Sequence, residues 1–385
     1  MKLKTGRRFL SVIMASAIVI SLGTSNAFAT SSNNIDDIAE TTRDGSFESI
    51  VYDDVEELPD GGKIYVYKVD GVTHRFPLPP EDFDPITATD EQLETYGIPP
   101  RPDINDKDDY LSWVEIVDGV DFVPMTELKV MRGDNSEASS NNTRYETAGY
   151  SAVSSRTSQS WSGYVSSLSS SSSEFYNQVQ VDYVEPTVKS SSGVSGNGVW
   201  IGLGGTNGST SLVQAGTAVE LFDPNKHYAW FECLGPGHHN PPQPIRGIDV
   251  NPGDKIHIYI SFQAANGIFN WYVVNSTTGQ ALSDTPEYDS DIYFDGSTVE
   301  WIVERPLLTY ADGTSGYGEL GDYGSVTFTN CKAMLNTSTS WIKLGDLSNV
   351  SSRKMTSNGS SSGRTLSSPG SINGDTFTCY WYNYQ

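Results

Sequence analysis

Cysteine is scarce in this 385-residue chain: the three thiols are Cys233, Cys331 and Cys379, too few for a small scaffold stapled by disulfides. Basic residues are also short. Lys and Arg number 24 against 48 Asp and Glu, a formal net charge of −24, so any surface tracking nucleic-acid phosphates would work against the field of the whole chain. No apolar run reaches the roughly 20 residues that span a bilayer. The Ala/Glu/Lys/Leu bulk of helical proteins is missing, which excludes a coiled coil or helical bundle as the main architecture. Catalogued enzyme signatures are mostly missing too, with no H-E-x-x-H helix and no Walker loop. What is present is 36 Gly, 21 Tyr and 8 Trp, a composition that favours strands and turns.

Charge divides the chain into three segments. Residues 1–29 carry four bases and no acids, residues 30–150 carry nine and 28, and residues 151–385 carry 11 and 20. The first segment opens on Lys2, Lys4, Arg7 and Arg8, continues through an apolar stretch from Phe9 to Leu22 and closes on Ala27-Phe28-Ala29. That is the pattern of a secretory signal peptide, and its style points to a bacterial host. Residues 30–150 form an acidic segment with proline punctuation at Leu78-Pro79-Pro80 and Ile98–Pro102. Within it Lys63–Val69 alternates like a hairpin strand, and Thr89–Leu93 reads as a capped helical turn. A pro-segment ahead of a secreted domain is expected, with a solvated acidic linker as the alternative. The polar stretch Asn135–Ser160 marks the boundary, and the domain proper is placed at 155–385.

From Trp161 onward short alternating runs recur between turn signals: Gln178–Val188, Val199–Leu203, Ser211–Leu221, His227–Cys233, Lys255–Phe262, Phe269–Asn275, Thr298–Arg305 and Ser325–Cys331. Such spacing predicts an antiparallel sandwich or barrel. Asn207-Gly208 and Thr278-Gly279 read as turns. Cys331 and Cys379 are the preferred disulfide pair, because closing them would tie the final strands to the domain. Cys233, with His227, His238 and His239 nearby in sequence, invites a thiol mechanism that sequence alone does not assemble. The adjacent His238 and His239 lack a third ligand at regular spacing, so no metal site is expected.

Carboxylates inside the strands carry more information. Glu232 shares a face with Tyr228 and Trp230, because strand side chains alternate. Glu300, Ile302 and Glu304 likewise share one face, while Val299, Trp301 and Val303 form a core face on the other. The backbones of Glu300 and Glu304 are roughly 13 Å apart at about 3.3 Å per residue, too far for a carboxyl pair of the glycosidase kind at about 5–9.5 Å. An acid/base partner would have to come from another strand. Solvent-facing decoration of a half-buried sheet is the alternative.

Read in order, Trp161-Ser-Gly-Tyr164, Val199-Trp-Ile-Gly202, Leu212-Val-Gln-Ala-Gly216, Tyr228-Ala-Trp-Phe-Glu232, Asn275-Ser-Thr-Thr-Gly279, Glu300-Trp-Ile-Val-Glu304 and Tyr323–Asn330 resemble the sequence blocks of the eqolisins, the glutamic peptidases. The blocks span nearly all of residues 155–331. The resemblance implies an all-β fold, a concanavalin A-like, lectin-like β-sandwich of two antiparallel sheets, and a secreted acid endopeptidase that uses a Gln/Glu dyad. Carried over by position, the catalytic pair is Gln214 and Glu304, with Glu300 excluded, and Glu232, Trp200 and Trp161 support the site or bind substrate. For the two tryptophans, packing into the sandwich core is the alternative.

No metal or organic cofactor is implied. The expected partners are protein or peptide substrates, with no nucleic acid and no membrane after signal removal, and the chain is expected to act as a monomer. Two features depart from the family pattern. Gly204 stands where some members carry an acid, and the pro-segment is acidic beside an acidic domain, so charge attraction cannot dock it as basic fungal pro-segments dock. The Ile98–Pro102 piece is left to block the cleft by shape. The rival reading from another class is a sugar-binding sandwich without catalysis, since a fold does not fix a function, and a structural surface protein is the third.

Overall fold

The computed structural model describes residues 47–385 except 70–71, 126, 130–153, 170–171, 192–194, 207–210, 221–222, 236–237, 240–242, 264–266, 288–293 and 310–314. The expected signal peptide, most of the polar boundary stretch and the Asn207-Gly208 turn lie outside the described residues.

Alternation between apolar and polar positions produces two antiparallel sheets that pack face to face. In the first, the strand order is Gln243–Arg246, Asp223–Gly235, Leu212–Glu220, Gly198–Gly204, Thr298–Glu304, Trp161–Ser167 and Val350–Thr356. In the second it is Phe377–Trp381, Ser325–Leu335, Tyr176–Val184, Lys255–Gln263, Ile268–Asn275 and Gln280–Glu287. The strand Thr365–Pro369 pairs with both Val350–Thr356 and Phe377–Trp381 and turns the corner between the sheets.

The inner faces meet in one core. Val199, Ile201, Ala215, Val299, Trp301 and Val303 of the first sheet lie against Val179, Val181, Ile258, Ile260, Trp271 and Val273 of the second. Phe231 stacks on Trp271 with centroids 4.9 Å apart, and the Trp301 indole donates across the interface to the Gln180 carbonyl at 3.0 Å. This is the sandwich that the strand spacing and the resemblance both anticipate.

The acidic segment is folded onto this sandwich and is not a solvated linker. Its hairpin, Lys63–Val69 with Val72–Leu78, extends the second sheet by pairing Thr73–Arg75 with Thr285–Glu287. Thr89 caps the helix Asp90–Thr95 through a capping box with Gln92, and Asp106 caps a second helix, Lys107–Val117. The two helices carry Leu93, Trp113, Ile116 and Val117 onto the outer face of the second sheet, where with Tyr96 and Ile98 they meet Tyr259, Tyr272, Val274 and Ala281. Each buried aliphatic side chain there contributes roughly 1.5–3 kcal/mol. Further along, Glu127–Lys129 pairs with Ser49–Phe47 and with the edge strand Gln243–Arg246 of the first sheet.

Two expectations are corrected here. The Cys331–Cys379 disulfide is not formed: both residues are free thiols and buried. Cys379 stands opposite Val326, five residues before Cys331, which puts the Cys331 Cα outside the roughly 4.4–6.8 Å that a disulfide spans. Its sulfur lies instead 3.5 Å from the Ser162 carbonyl oxygen. The Ile98–Pro102 piece does not reach the face that carries Gln214 and Glu304. Ile98 is buried against the second sheet, and the Pro99 carbonyl accepts from the Trp113 indole at 2.8 Å.

Candidate active site

Five adjacent strands of the first sheet turn Trp161, Trp200, Gln214, Glu232 and Glu304 to one face, opposite the core. Register arranges that face in rows. Glu304 stands across from Trp161 on one side and Gly198 on the other. Gln214 stands across from Glu232 and Gly202, and Gly202 faces Glu300 on its far side. Between these rows lies a third, Gly163, Ile302, Trp200, Gly216 and Trp230. Gly216 is needed at this point, because a Cβ there would lie 2.3 Å from the Val199 carbonyl oxygen and 2.6 Å from the Trp200 Cβ.

The Glu304 carboxylate is held at both oxygens. The Trp161 Nε1–H donates to Oε1 at 2.9 Å and the Trp200 Nε1–H to Oε2 at 2.8 Å. The two indoles meet edge to face, with centroids 5.1 Å apart. Hydrogen bonds to an ionised acceptor are among the stronger ones and fix the carboxylate plane. Trp200→Phe removes one of them while keeping an aromatic ring. With Glu304 in the catalytic role that the resemblance implies, and at about 1.5–3 kcal/mol for a hydrogen bond to a charged group, it is expected to lower kcat/KM on a peptide substrate by about ten- to a hundredfold, a loss steady-state kinetics would measure.

Gln214 is oriented by Glu232, whose carboxyl accepts from the Gln214 Nε2–H. Burial pushes the Glu232 carboxyl well above the ordinary carboxylate range. The Gln214 hydrogen bond pulls the other way, and the negative charge of Glu304 raises it further. The two halves of the site therefore lie within electrostatic reach of each other.

Gln214, Glu232, Glu300 and Glu304 are not solvent decoration. Gln214 and Glu232 are each 1% exposed, Glu304 2% and Glu300 0%. Neither Glu300 oxygen has a hydrogen-bond partner among the described residues. Burial raises its carboxyl well above 4.5, against the Thr298 hydroxyl, which is close but outside hydrogen-bonding geometry, and the Arg353 charge. The folded state thus holds the Glu300 proton after the unfolded chain has lost it. This stabilises the fold below pH 4.5, and the contribution is lost as pH rises towards the folded-state value, at about 1.4 kcal/mol per pH unit. Glu300→Gln is expected to flatten that slope and raise the neutral-pH melting temperature, which thermal unfolding at pH 4 and pH 7 would show.

Sequence reasoning did not assign a site role to Trp230, Arg305 or Tyr317. Trp230 is fully buried on the site face, with an indole N–H unpartnered among the described residues; its place one alternation from Glu232 was the available signal. Arg305 follows Glu304, donates to the Gly318 carbonyl at 2.9 Å and lies over the Tyr317 ring. No strand periodicity points to that contact. Gly204 has a φ of +88°, a backbone conformation that suits glycine.

A buried carboxylate held by two indoles, beside a carboxyl-oriented amide on the outer face of a two-sheet sandwich, defines a class of site suited to proton transfer and oxyanion stabilisation. Residues 159–381, more than half of the chain, match the peptidase A4 family, and the chain belongs to that family. It is 27% identical to Aspergillopepsin-2 of Aspergillus niger over 184 residues, 43% of this chain and 62% of that protein, so it spans less than two thirds of that relative's length. Among solved structures, scytalido-glutamic peptidase with a transition state analog inhibitor shares 18% identity at a TM-score of 0.48, covering 58% of this chain and 98% of that one. Aspergilloglutamic peptidase from Aspergillus niger shares 24% identity at a TM-score of 0.39, covering 49% and 99%.

Proposed function

We propose that this chain is a secreted glutamic endopeptidase that hydrolyses peptide bonds of protein substrates in acid, with Glu304 and Gln214 as its catalytic pair. The observation that carries the reading is the double indole clamp on Glu304 on the same buried face as the Glu232-oriented amide of Gln214, in a member of the peptidase A4 family.

Glu304 takes a proton from water as it attacks the scissile carbonyl, then returns it to the leaving amine. The Gln214 amide cannot serve as an acid, but its N–H groups donate to the oxyanion of the tetrahedral intermediate and its carbonyl orients the water. Glu232, whose carboxyl burial pushes well above the ordinary carboxylate range, accepts from Gln214 and holds it in place. Trp161 and Trp200 orient Glu304. Residues 1–29 direct export, residues 30–150 precede the catalytic domain, and the enzyme acts as a monomer.

The test is hydrolysis of a denatured protein between strongly acid and neutral pH. Cleavage confined to acid supports the reading. A correctly processed, folded chain that cleaves nothing at any pH sinks it and moves the weight to sugar binding. That second reading has little support in the tryptophans: the indole N–H groups of Trp161 and Trp200 are committed to Glu304, and Trp200 is fully buried.

A further inference from the structure

We infer that residues 47–129 are a permanent part of the folded protein, retained on the sandwich when the polar stretch after them is cut, and not a pro-piece that is expelled. The family match begins at residue 159, so this segment lies outside it. Its contacts are nevertheless those of an integral layer.

Three observations carry the inference. First, the segment supplies both sheets with material they lack. Tyr67, Phe76 and Met125 enter the main core, and the hairpin and the strand Glu127–Lys129 pair with an exposed edge of each sheet. A bare edge strand and an uncovered apolar face invite aggregation. Second, the segment hydrogen-bonds to polar groups of the sandwich that it also buries. Asp284 is 0% exposed and bonds His74 Nδ1 at 2.8 Å. The Ser283 hydroxyl donates to the Tyr96 carbonyl at 2.8 Å and the Asn270 amide to the Gly97 carbonyl at 2.8 Å. Such hydrogen bonds add to the contacts that hold the segment in place. Third, the fit is close. Gly97 has a φ of +70°, and a Cβ there would lie 2.5 Å from the Asn270 Oδ1.

The helices and the Ile98–Pro102 piece rest on the second sheet, the far side of the sandwich from Gln214 and Glu304. Expelling them would not uncover the catalytic face. Any latency of the full chain must therefore be relieved elsewhere, and the working form consists of the segment and the sandwich together.

The experiment uses the full chain with one specific protease sequence inserted between residues 135 and 150. After cutting under native conditions, gel filtration and native mass spectrometry are expected to show both pieces in one species that separates only on unfolding. A segment that elutes alone, leaving a sandwich piece with unchanged melting temperature, would overturn the inference. In a second arm, Gly97→Val with Trp113→Ala leaves the sandwich sequence untouched. The cut variant is expected to separate, and its sandwich piece to melt at lower temperature or aggregate. Separation without either effect would show the segment to be dispensable and overturn the inference equally. Association and melting are read without any peptidase assay, so the result stands apart from the proposed function.

Discussion

Glu304→Gln is expected to lower kcat/KM on a denatured protein at acid pH by about 10²–10⁴-fold, the range removed with a general acid–base group. The substitution keeps the volume of the side chain and its place on the strand Thr298–Glu304, so the loss would be chemical. It does disturb one local balance. Both carboxylate oxygens now accept from indole N–H groups, whereas an amide offers one acceptor and turns its own donors towards the other indole. A buried donor left unpaired costs about 1–3 kcal/mol, so a modest fall in melting temperature accompanies the kinetic loss. Far-UV circular dichroism would verify that the sheets remain. Glu304→Asp separates charge from reach, because it keeps the carboxylate but withdraws it by one methylene from the two indoles. If Glu304→Gln cleaves at the wild-type rate, Glu304 is not the acid–base group.

Much of this site could be read from residues in alternation. Tyr228, Trp230 and Glu232 fall on one face, as do Glu300, Ile302 and Glu304, because the strand period is two, and the structure keeps both groupings. Periodicity did not establish that this second face is also buried. In an isolated strand, Glu at alternate positions reads as solvent-facing, and only the packing of five neighbouring strands makes it a second apolar layer, with Trp161, Trp200, Trp230 and Ile302 in one cluster. The choice between Glu300 and Glu304 came from the family resemblance. The structure adds a physical contrast: Glu304 accepts two indole hydrogen bonds, whereas Glu300 has no hydrogen-bond partner among the described residues.

The acidic segment was less legible. The capped turn after Thr89 and the strand Lys63–Val69 are local signals, and both appear as expected. Where they dock is a long-range fact. The ring of Tyr96 meets the second sheet only because Gly97 lets the chain lie against Asn270. Net charge was silent on this docking for a similar reason. A segment of 28 acids and nine bases beside an acidic domain suggests repulsion, but the interface is largely apolar, and its ion pairs are specific, as between Lys332 and Asp109 at 2.5 Å. Averaged charge acts over the Debye length of roughly 8–10 Å, while contact burial is decided atom by atom.

Gln214→Ala is expected to reduce kcat/KM by about 10²–10³-fold, the usual effect of removing one oxyanion donor. The alanine would also leave the buried Glu232 without the amide that now donates to it, so a loss of stability is expected beside the loss of rate. Gln214→Glu separates the two effects. It preserves side-chain length and contact with Glu232 but supplies no N–H donor, and it puts two carboxyls in contact. Like charges so close cannot both ionise, so the pair would hold a shared proton well above the ordinary carboxylate range. The fold would be supported at low pH, where that proton is bound, and weakened as pH rises and the second carboxyl is forced to ionise. A pH series of melting temperatures on Gln214→Glu should therefore fall more steeply towards neutrality than that of the wild type, while kcat/KM stays depressed at every pH. Recovery of near wild-type turnover by Gln214→Glu at low pH would mean that a protonated carboxyl can replace the amide. The role of Gln214 would then be hydrogen-bond donation as such, with no special requirement for an amide.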